Sequence, residues 1–341
     1  MTNATPAFAP LRGERESGRS RTLVLWITAG AASVQLALTA AWIVRFGFPW
    51  TAPILGAAQT SLGFAGFLLA ATGLRAGMAR LGRARPFDVR GALADAPALG
   101  VVMAVVATDY TWLKLLIPAL NGRSWDAVLG RLDRVLCAGL DPNRFLLAIL
   151  EGNPRWLAST LDIMYWVWLF AGFLGAIVLL TDTDRVTRRS GAASLALLWL
   201  VGAWIYVALP AYGPSLVDID LWTRVRPLLP NNAGTERELL RNYLAVKTIL
   251  AGTPTPVRLS FGIAAMPSLH VALDVLFALW ASRQARWWAW VWWILTGLTT
   301  VTAVATGWHY VVDVLAGVAL AFAVFVPLAG TRRMPAQSAE R

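Results

Sequence analysis

Eight apolar blocks, each about as long as a membrane-crossing helix, constrain this chain more than any other feature. They cover approximately residues 23–44, 54–74, 97–119, 156–180, 191–211, 267–282, 287–306 and 309–328. About 20 apolar residues in a helix span the hydrocarbon core of a bilayer. Only 14% of the residues are charged, against about 25% in a typical soluble domain. We therefore expect an all-α integral membrane protein, a polytopic helical bundle of about eight spans.

The charge balance is strongly basic. The chain has 30 Lys and Arg residues against 19 Asp and Glu residues, which gives a net charge of +11. In a soluble protein such an excess would favour nucleic acid binding. Here most basic residues lie between the apolar blocks, where they orient spans and meet anionic headgroups. We therefore predict a bilayer protein with no nucleic acid partner. Its single cysteine, Cys137, excludes an internal disulfide.

The distribution of arginines predicts the orientation in the membrane. They recur in the N-terminal segment 1–22, in the short connections 75–90, 185–189 and 283–286, and near the C-terminus at 332–333. With eight spans all five segments lie on one side, which the positive-inside rule makes cytoplasmic. We expect an integral protein of a bacterial inner membrane with both termini in the cytoplasm. Residues 1–22 are expected to form a disordered tail and 331–341 a second cytoplasmic tail.

Two long connections, 120–155 and 212–266, lie on the opposite side and show helical periodicity. The apolar stripe of the first comprises Trp125, Val128, Leu129, Leu132, Val135 and Leu136. That of the second comprises Leu239, Leu240, Tyr243, Leu244, Val246 and Leu250. Two interpretations remain open: helices that lie in the interface and cover the bundle, or a lid over a lipid-entry gap. At the other side, the tryptophans of 287–293 predict an aromatic belt.

The only two histidines stand in two short polar interruptions of apolar sequence. His270 ends "MPSLH" at 266–270, and His309 is the third residue of "GWHYVVD" at 307–313. The seventh span returns the chain between them, so the sixth and eighth spans begin on the same, extracytoplasmic side. We expect the two imidazoles to converge and to face each other across a phosphate.

Both histidines are expected near helix N-termini. Pro267 suits a first helical turn and Ser268 a capping position, while Thr306 and Gly307 are expected to open the eighth span. Free N–H groups and a partial positive charge make a helix N-terminus a site for anions. Two such termini aimed at one point suit a phosphate group.

Asp313 follows His309 by four residues, which places both on one helical face. A carboxylate there can accept the proton of one imidazole nitrogen and leave the other free to attack. His270 would then donate a proton to the leaving oxygen. A histidine at the end of a span can instead be an interfacial hydrogen-bonding group. Two histidines and an aspartate could also bind a metal ion, but no third strong ligand is spaced for it.

"PSLH" at 267–270 and "TGWHYVVDVLAG" at 306–317 resemble the second and third signatures of the type-2 phosphatidic acid phosphatase superfamily. They are most similar to its inositolphosphotransferase-like branch, which includes the fungal inositol phosphorylceramide synthases. A weaker likeness runs through "YTWLKLLIP" (110–118), "LDIMYW" (161–166) and "YVALPAYGP" (206–214). The resemblance implies a six-helix membrane core, a phosphohistidine intermediate, and no metal or cofactor. It makes His309 the nucleophile, Asp313 the group that orients it and His270 the general acid.

The chain departs from the superfamily pattern at its cations. Ala303 stands where the third signature has an arginine, six residues before the nucleophile. The first signature would require a lysine where Ile219 stands. Because a doubly charged phosphoryl group needs cations or oriented dipoles in the transition state, other groups must supply them. We expect Lys114 and Arg258 to bind the phosphate, together with Ser268.

The sequence thus predicts a six-helix catalytic membrane core over 97–330 and two additional N-terminal spans over 23–96. Its expected activity is that of a lipid phosphatase or phosphotransferase acting on a lipid phosphate or phosphodiester through a phosphohistidine. Water as acceptor makes it a phosphatase and an alcohol makes it a transferase, and the residues named do not separate the two. The alternative is a catalytically inert lipid-binding or lipid-transport protein on the same scaffold.

Overall fold

A computed structural model describes residues 12–48, 51–81, 88–153, 155–258 and 262–329. Most of the residues in these ranges are helical, and the ranges contain no β-strand. The helices are α1 (Arg12–Arg45), α2 (Thr51–Arg80), α3 (Val89–Leu120), α4 (Asp126–Leu136), α5 (Pro142–Gly152), α6 (Arg155–Leu180), α7 (Arg185–Ala208), α8 (Pro214–Val217), α9 (Ile219–Trp222), α10 (Pro230–Leu250), α11 (Leu269–Ala281), α12 (Arg286–Ala305) and α13 (Val311–Ala329). The predicted all-α membrane fold is confirmed.

Seven helices in the described part of the chain are long and apolar enough to cross a membrane: α1, α2, α3, α6, α7, α12 and α13. The sixth of the eight predicted spans is the exception, because α11 has 13 residues and is about 20 Å long. Nearly all of α11 is buried among α6, α7, α12 and α13. A helix enclosed by protein does not have to match the thickness of the bilayer, so α11 is a core helix of the bundle.

The N-terminal segment differs from its prediction. Helix α1 begins at Arg12, inside the stretch 1–22 that was expected to be a disordered tail. Arginine and glutamate favour helices, so the helix of the first span continues into this charged segment. Residues 1–11, residues 82–87 and the predicted C-terminal tail, from residue 330 onward, lie outside the described residues.

Helices α1 and α2 pack against the core through α3 and α7. Thr39 of α1 donates a hydrogen bond to the buried carboxyl group of Asp109 in α3, at 2.8 Å. Trp204 of α7 donates to Gln35 of α1 at 2.6 Å. Helix α2 lies so close to α3 that a Cβ atom at Gly100 would be 2.7 Å from the Cα of Ala65. Polar contacts and one close backbone approach therefore fix the two N-terminal helices on the bundle.

Helix α4, in the first long connection, divides the expected apolar stripe between a buried and an exposed face. Asp126, Leu129 and Asp133 are buried, whereas Leu132, Val135 and Leu136 of the expected apolar stripe are 43%, 77% and 55% exposed. The two carboxylates point inward because they accept hydrogen bonds from backbone amides of neighbouring segments. The apolar residues are left on the outer face, as in a helix that contacts lipid.

The other two predicted apolar surfaces are each divided between inside and outside. In α10, Leu239 and Val246 are buried, whereas Leu244 is 54% exposed. At the start of α12, three tryptophans of the expected aromatic belt face outward: Trp287, Trp290 and Trp293. Trp292 is buried against Phe277, with their ring centroids 4.7 Å apart. These three tryptophans are exposed as an aromatic belt requires, Trp288 is partly buried, and Trp292 belongs to the core. The belt itself stays a prediction.

A close backbone approach near the histidines joins the start of α11 to the first two turns of α13. Ser268 donates its backbone N–H to the carbonyl of Asp313 at 2.9 Å, and a Cβ at Gly317 would overlap the carbonyl oxygen of Ser268. Only glycine allows the two backbones to meet in this way.

We therefore expect Gly317→Ala to push α11 and α13 apart. Added volume in a well-packed core costs about 1–3 kcal/mol, so the midpoint of thermal unfolding in detergent should fall. Gly297→Ala is the matched control, because nothing lies within 4 Å of a Cβ at Gly297 in the neighbouring α12. Equal midpoints for the two variants would contradict this account of the contact.

Candidate active site

The two histidine side chains meet at the end of the bundle where α11 and α13 begin. Nδ1 of His270 lies 3.1 Å from Nε2 of His309, and the ring planes are inclined by 65°. His309 is buried, while His270 is partly exposed to a cavity. The structure therefore brings the two imidazoles together, as expected. They touch each other directly, whereas the sequence suggested that they would be separated by a phosphate.

Asp313 lies on the opposite side of His309 from His270. Its Oδ2 is 3.5 Å from Nδ1 of His309 and accepts a hydrogen bond from the backbone N–H of Tyr310 at 2.9 Å. His309 is not itself helical, because α13 begins at Val311. Burial lowers the pKa of His309 below its ordinary value, so its imidazole is neutral near pH 7. One ring nitrogen thus faces a carboxylate and the other faces His270.

The N-terminus of α13 is already occupied by carboxylates. Asp133 of α4 accepts hydrogen bonds from the amides of Val311 and Val312, each at 2.8 Å, and Asp313 accepts from Tyr310. The expectation that this helix start would receive the phosphate is therefore wrong. Burial is the main influence on Asp133 and raises the pKa of that carboxyl group, which the two amide hydrogen bonds oppose.

Two of the residues expected to open α13 lie instead at the end of α12. Thr306 is the C-cap of α12, and Gly307 has a φ of +75°, a conformation that favours glycine. The turn that follows is held by Asn143 of α5, which donates to the carbonyls of Val304 and His309 at 2.9 and 3.2 Å. His309 therefore sits on a tight connection that is braced from a neighbouring helix.

Ser268 stands at the predicted capping position, but its hydroxyl and Pro267 differ from their predicted roles. Helix α11 begins at Leu269, so Pro267 precedes the first turn and Ser268 takes the N-cap position. The hydroxyl of Ser268 makes no capping hydrogen bond; it is buried without a partner among the described groups. The backbone of Ser268, bonded to Asp313, is what joins α11 to α13.

A second loop packs against the His309 turn. Asp126 of α4 accepts hydrogen bonds from the amide of Gly213 at 2.9 Å and from the hydroxyl of Tyr310 at 3.2 Å. Gly213 has a φ of +91°, and a Cβ there would lie 2.6 Å from the carbonyl oxygen of Trp308. Asp126 and the close approach at Gly213 together hold this loop against the His309 turn.

The histidines open into a cavity of about 200 Å³. Lys114 of α3 lies in its wall, with Nζ 5.4 and 5.7 Å from the ring centroids of Tyr110 and Tyr206. In the described part of the chain no ion pair joins Lys114 to a carboxylate. The segment leading to His270 passes directly over it, since a Cβ at Gly262 would lie 2.6 Å from the Cβ of Lys114. Lys114 is thus positioned to face an anion beside the two histidines.

Arg258, the other expected phosphate ligand, lies elsewhere. It is 68% exposed and pairs with Glu238 of α10 at 3.2 Å, and it is absent from the cavity wall. Its backbone is tied to Asn242 by hydrogen bonds at 2.7 and 2.8 Å. Lys114 therefore lies in the cavity with the histidines, whereas Arg258 forms a surface ion pair.

Two residues that the sequence interpretation missed support His270. Trp168 of α6 donates to the backbone carbonyl of His270 at 3.2 Å, and its ring lies edge-on to the imidazole with centroids 4.3 Å apart. Trp168 also interacts with the buried carboxyl group of Asp274, which accepts from Thr299 at 2.7 Å. The spacing was a usable signal, because Asp274 follows His270 by four residues as Asp313 follows His309.

Among the described residues, no group of three or more histidine, cysteine, aspartate or glutamate side chains has an arrangement that could hold a metal ion. The absence of a metal requirement stays a prediction.

Comparison with known families matches residues 128–327 to the PAP2 superfamily. No curated protein and no solved structure gives a significant match. The matched segment contains both histidines, Asp313 and helices α5–α12, together with nearly all of α4 and α13. Membership of this superfamily supports a phosphatase-type activity on a lipid phosphate. Because the match covers more than half of the chain, this polytopic helical membrane protein belongs to the PAP2 superfamily.

Proposed function

We propose that the protein transfers or hydrolyses the phosphoryl group of a membrane lipid through a covalent intermediate on His309. The observation that supports this most directly is the row Asp313–His309–His270, in which Nδ1 of His309 faces a carboxylate and Nε2 faces a second imidazole at 3.1 Å. A carboxylate on one ring nitrogen orients the imidazole and favours the free base on the other.

The reaction would proceed in two displacements. The substrate phosphoryl group first separates the two imidazole rings. Nε2 of His309 then attacks phosphorus, the bond to the leaving oxygen breaks, and His270, as the imidazolium, gives a ring N–H proton to that oxygen and becomes neutral. His270 then takes a proton from water or an alcohol, whose oxygen attacks the phosphohistidine and releases His309. No step requires a metal ion. Lys114, at the cavity wall, would balance charge on the phosphoryl oxygens.

Transfer from a phosphodiester is the second candidate, and the charge of the cavity favours it. Lys114 is the one Lys or Arg among the described residues that line the histidine cavity, and the amides at the start of α13 already bind carboxylates. A single cation balances a singly charged diester more closely than a doubly charged monoester. The resemblance to the inositolphosphotransferase-like branch agrees with this choice.

An assay with purified protein separates these candidates. Lipid phosphates and diester lipids would be incubated with and without an alcohol acceptor, in the presence of a strong chelator. Free phosphate indicates a phosphatase, and a transferred headgroup indicates a transferase. Neither product from any substrate would favour the inert lipid-binding alternative, and activity that needs an added divalent ion would contradict the metal-free chemistry.

The two histidines should fail in different ways. His309→Ala removes the nucleophile, so turnover and any phosphoenzyme should disappear. General acid catalysis contributes about 10²–10⁴-fold, and an aryl phosphate needs it little because its leaving group is a weak base. His270→Ala should therefore lose far more activity on an alkyl lipid phosphate than on an aryl phosphate. Asp313→Asn should behave as a milder His309 lesion on both substrates.

Equal losses for His270→Ala and His309→Ala on both substrates would show that the division into acid and nucleophile is wrong. A shared structural or metal-binding role would then describe the pair better.

Asp133 should act through His309, because it holds the amides of Val311 and Val312 that follow the nucleophile. Asp133→Asn leaves one carbonyl oxygen for two donors, so we expect a roughly tenfold lower kcat, equal on alkyl and aryl phosphates. Arg131→Ala, on the exposed face of the same helix, should leave kcat unchanged. A loss confined to alkyl substrates would place Asp133 with the acid instead.

We also propose that both termini lie in the cytoplasm and the histidines near the extracytoplasmic face. If each span crosses once, the arginine-rich connections at 75–90, 185–189 and 283–286 lie on one side of the membrane, and α4, α5 and α10 lie on the other. The positive-inside rule makes the arginine-rich side cytoplasmic. A topology reporter fused after residue 341 should read cytoplasmic. An extracytoplasmic signal would overturn this orientation and the placement of the site.

A further inference from the structure

A second cavity, of about 250 Å³, lies directly beside the histidine cavity. Three aromatic residues line both cavities: Tyr110 of α3, Trp168 of α6 and Trp199 of α7. Beyond them the remaining wall of the second cavity is aliphatic or aromatic, apart from Thr111. A boundary between polar and apolar space therefore runs through these three rings.

The two cavities together match the shape of an amphiphile. The first contains His270, His309 and Lys114, which suit a phosphate, whereas the second has no charged residue in its described wall. Burying a hydrocarbon chain is favourable by roughly fourfold in binding for each methylene. The second cavity, called the chamber below, shares a wall with the phosphate site. It therefore suits the hydrocarbon chain of the same molecule.

One residue of the chamber wall comes from α2, which lies outside the matched segment 128–327. Phe64 of α2 lines it. Its neighbour Ala65 is pressed against Gly100 of α3, where a Cβ would lie 2.7 Å from the Ala65 backbone. This contact fixes the position of Phe64 relative to α3, and therefore its place in the chamber wall.

We propose that the chamber binds one hydrocarbon chain of the lipid phosphate or phosphodiester, and that Phe64 of the added helix α2 selects the length of that chain. The inference rests on the proposed function for the position of the phosphate. It gives the N-terminal helices a role in substrate selection.

Gly172 of α6 offers a way to fill the chamber without disturbing the histidines. It lines the second cavity and not the first. The nearest atom to a Cβ there would be Cδ2 of Leu273, at 3.5 Å, an ordinary contact. A larger side chain at this position would therefore project into the space proposed for the substrate chain.

The test uses full-length protein and n-alkyl phosphates of increasing chain length, with an aryl phosphate that has no chain. For the wild type, kcat/KM should rise with chain length to an optimum. Gly172→Leu should lower kcat/KM at that optimum at least about tenfold, because it displaces several methylenes, and leave the aryl phosphate unchanged. Phe64→Ala should move the optimum to longer chains. Phe67→Ala, a 50% exposed residue on the same helix, is the control and should match the wild type.

Binding of n-alkyl phosphonates, which are not hydrolysed, provides a measurement that does not require turnover. Affinity should follow the same dependence on chain length and the same order of variants. If affinity does not depend on chain length, the chamber is not the chain site. The same conclusion follows if Gly172→Leu and Phe64→Ala unfold at the wild-type temperature and bind like Phe67→Ala. Turnover of phosphates without that dependence overturns this inference and leaves the proposed function intact. Chain-dependent binding without turnover of any phosphate monoester or phosphodiester contradicts the proposed function alone.

Discussion

The backbone contact between α11 and α13 is the constraint on which the candidate active site depends. Ser268 bonds to the carbonyl of Asp313, and Gly317 lies one turn further along α13 without a side chain to separate the helices. Given that contact, His270 stands two residues after one partner and His309 four residues before the other. The 3.1 Å distance between the imidazoles is therefore a consequence of how two helices meet. Neither histidine is on a free loop.

Buried carboxylates organise the layer above this contact. Asp126 and Asp133 on α4 accept backbone amides of the segments that carry Gly213 and Val311, and Asp162 of α6 accepts the amides of Asn231 and Asn232 at the start of α10. A buried amide without a partner costs about 1–3 kcal/mol, so each carboxylate also satisfies groups that the short connections would leave unpaired. Asp126 and Asp133, which satisfy the amides of these connections, also fix the turn that holds His309.

The sequence predicted the helices and the pairing of the histidines because both follow from long-range regularities. An apolar block of about 20 residues sets the approximate position and length of a helix whatever the helix packs against. Two spans that start on one side of a membrane bring their first residues to the same side. The orientation of α4 could not be obtained in this way. An amphipathic stripe does not say whether its apolar face meets protein or lipid, and the decisive partners of Asp126 and Asp133 are 86 or more residues distant in sequence. Arg258 failed to join the cavity for a related reason, since its pairing with Glu238 depends on how α10 lies.

The supply of positive charge links these observations to the chemistry. Ala303 replaces the arginine that the resemblance would place before the nucleophile, yet the carbonyl of Ala303 still accepts the amide of His309 at 3.1 Å. The turn is thus kept while its cation is missing. Helix dipoles do not compensate at α13, whose first amides face Asp133 and Asp313. Lys114 remains, and it comes from α3, which precedes the matched segment and is packed against α1 and α2. The phosphate site we propose is therefore completed by a helix whose position depends on the N-terminal pair. The packing of α1 and α2 on α3 would fix the positions of Lys114, beside the phosphate, and Phe64, beside the hydrocarbon chain. One packing arrangement would therefore select both the charge and the chain length of the substrate.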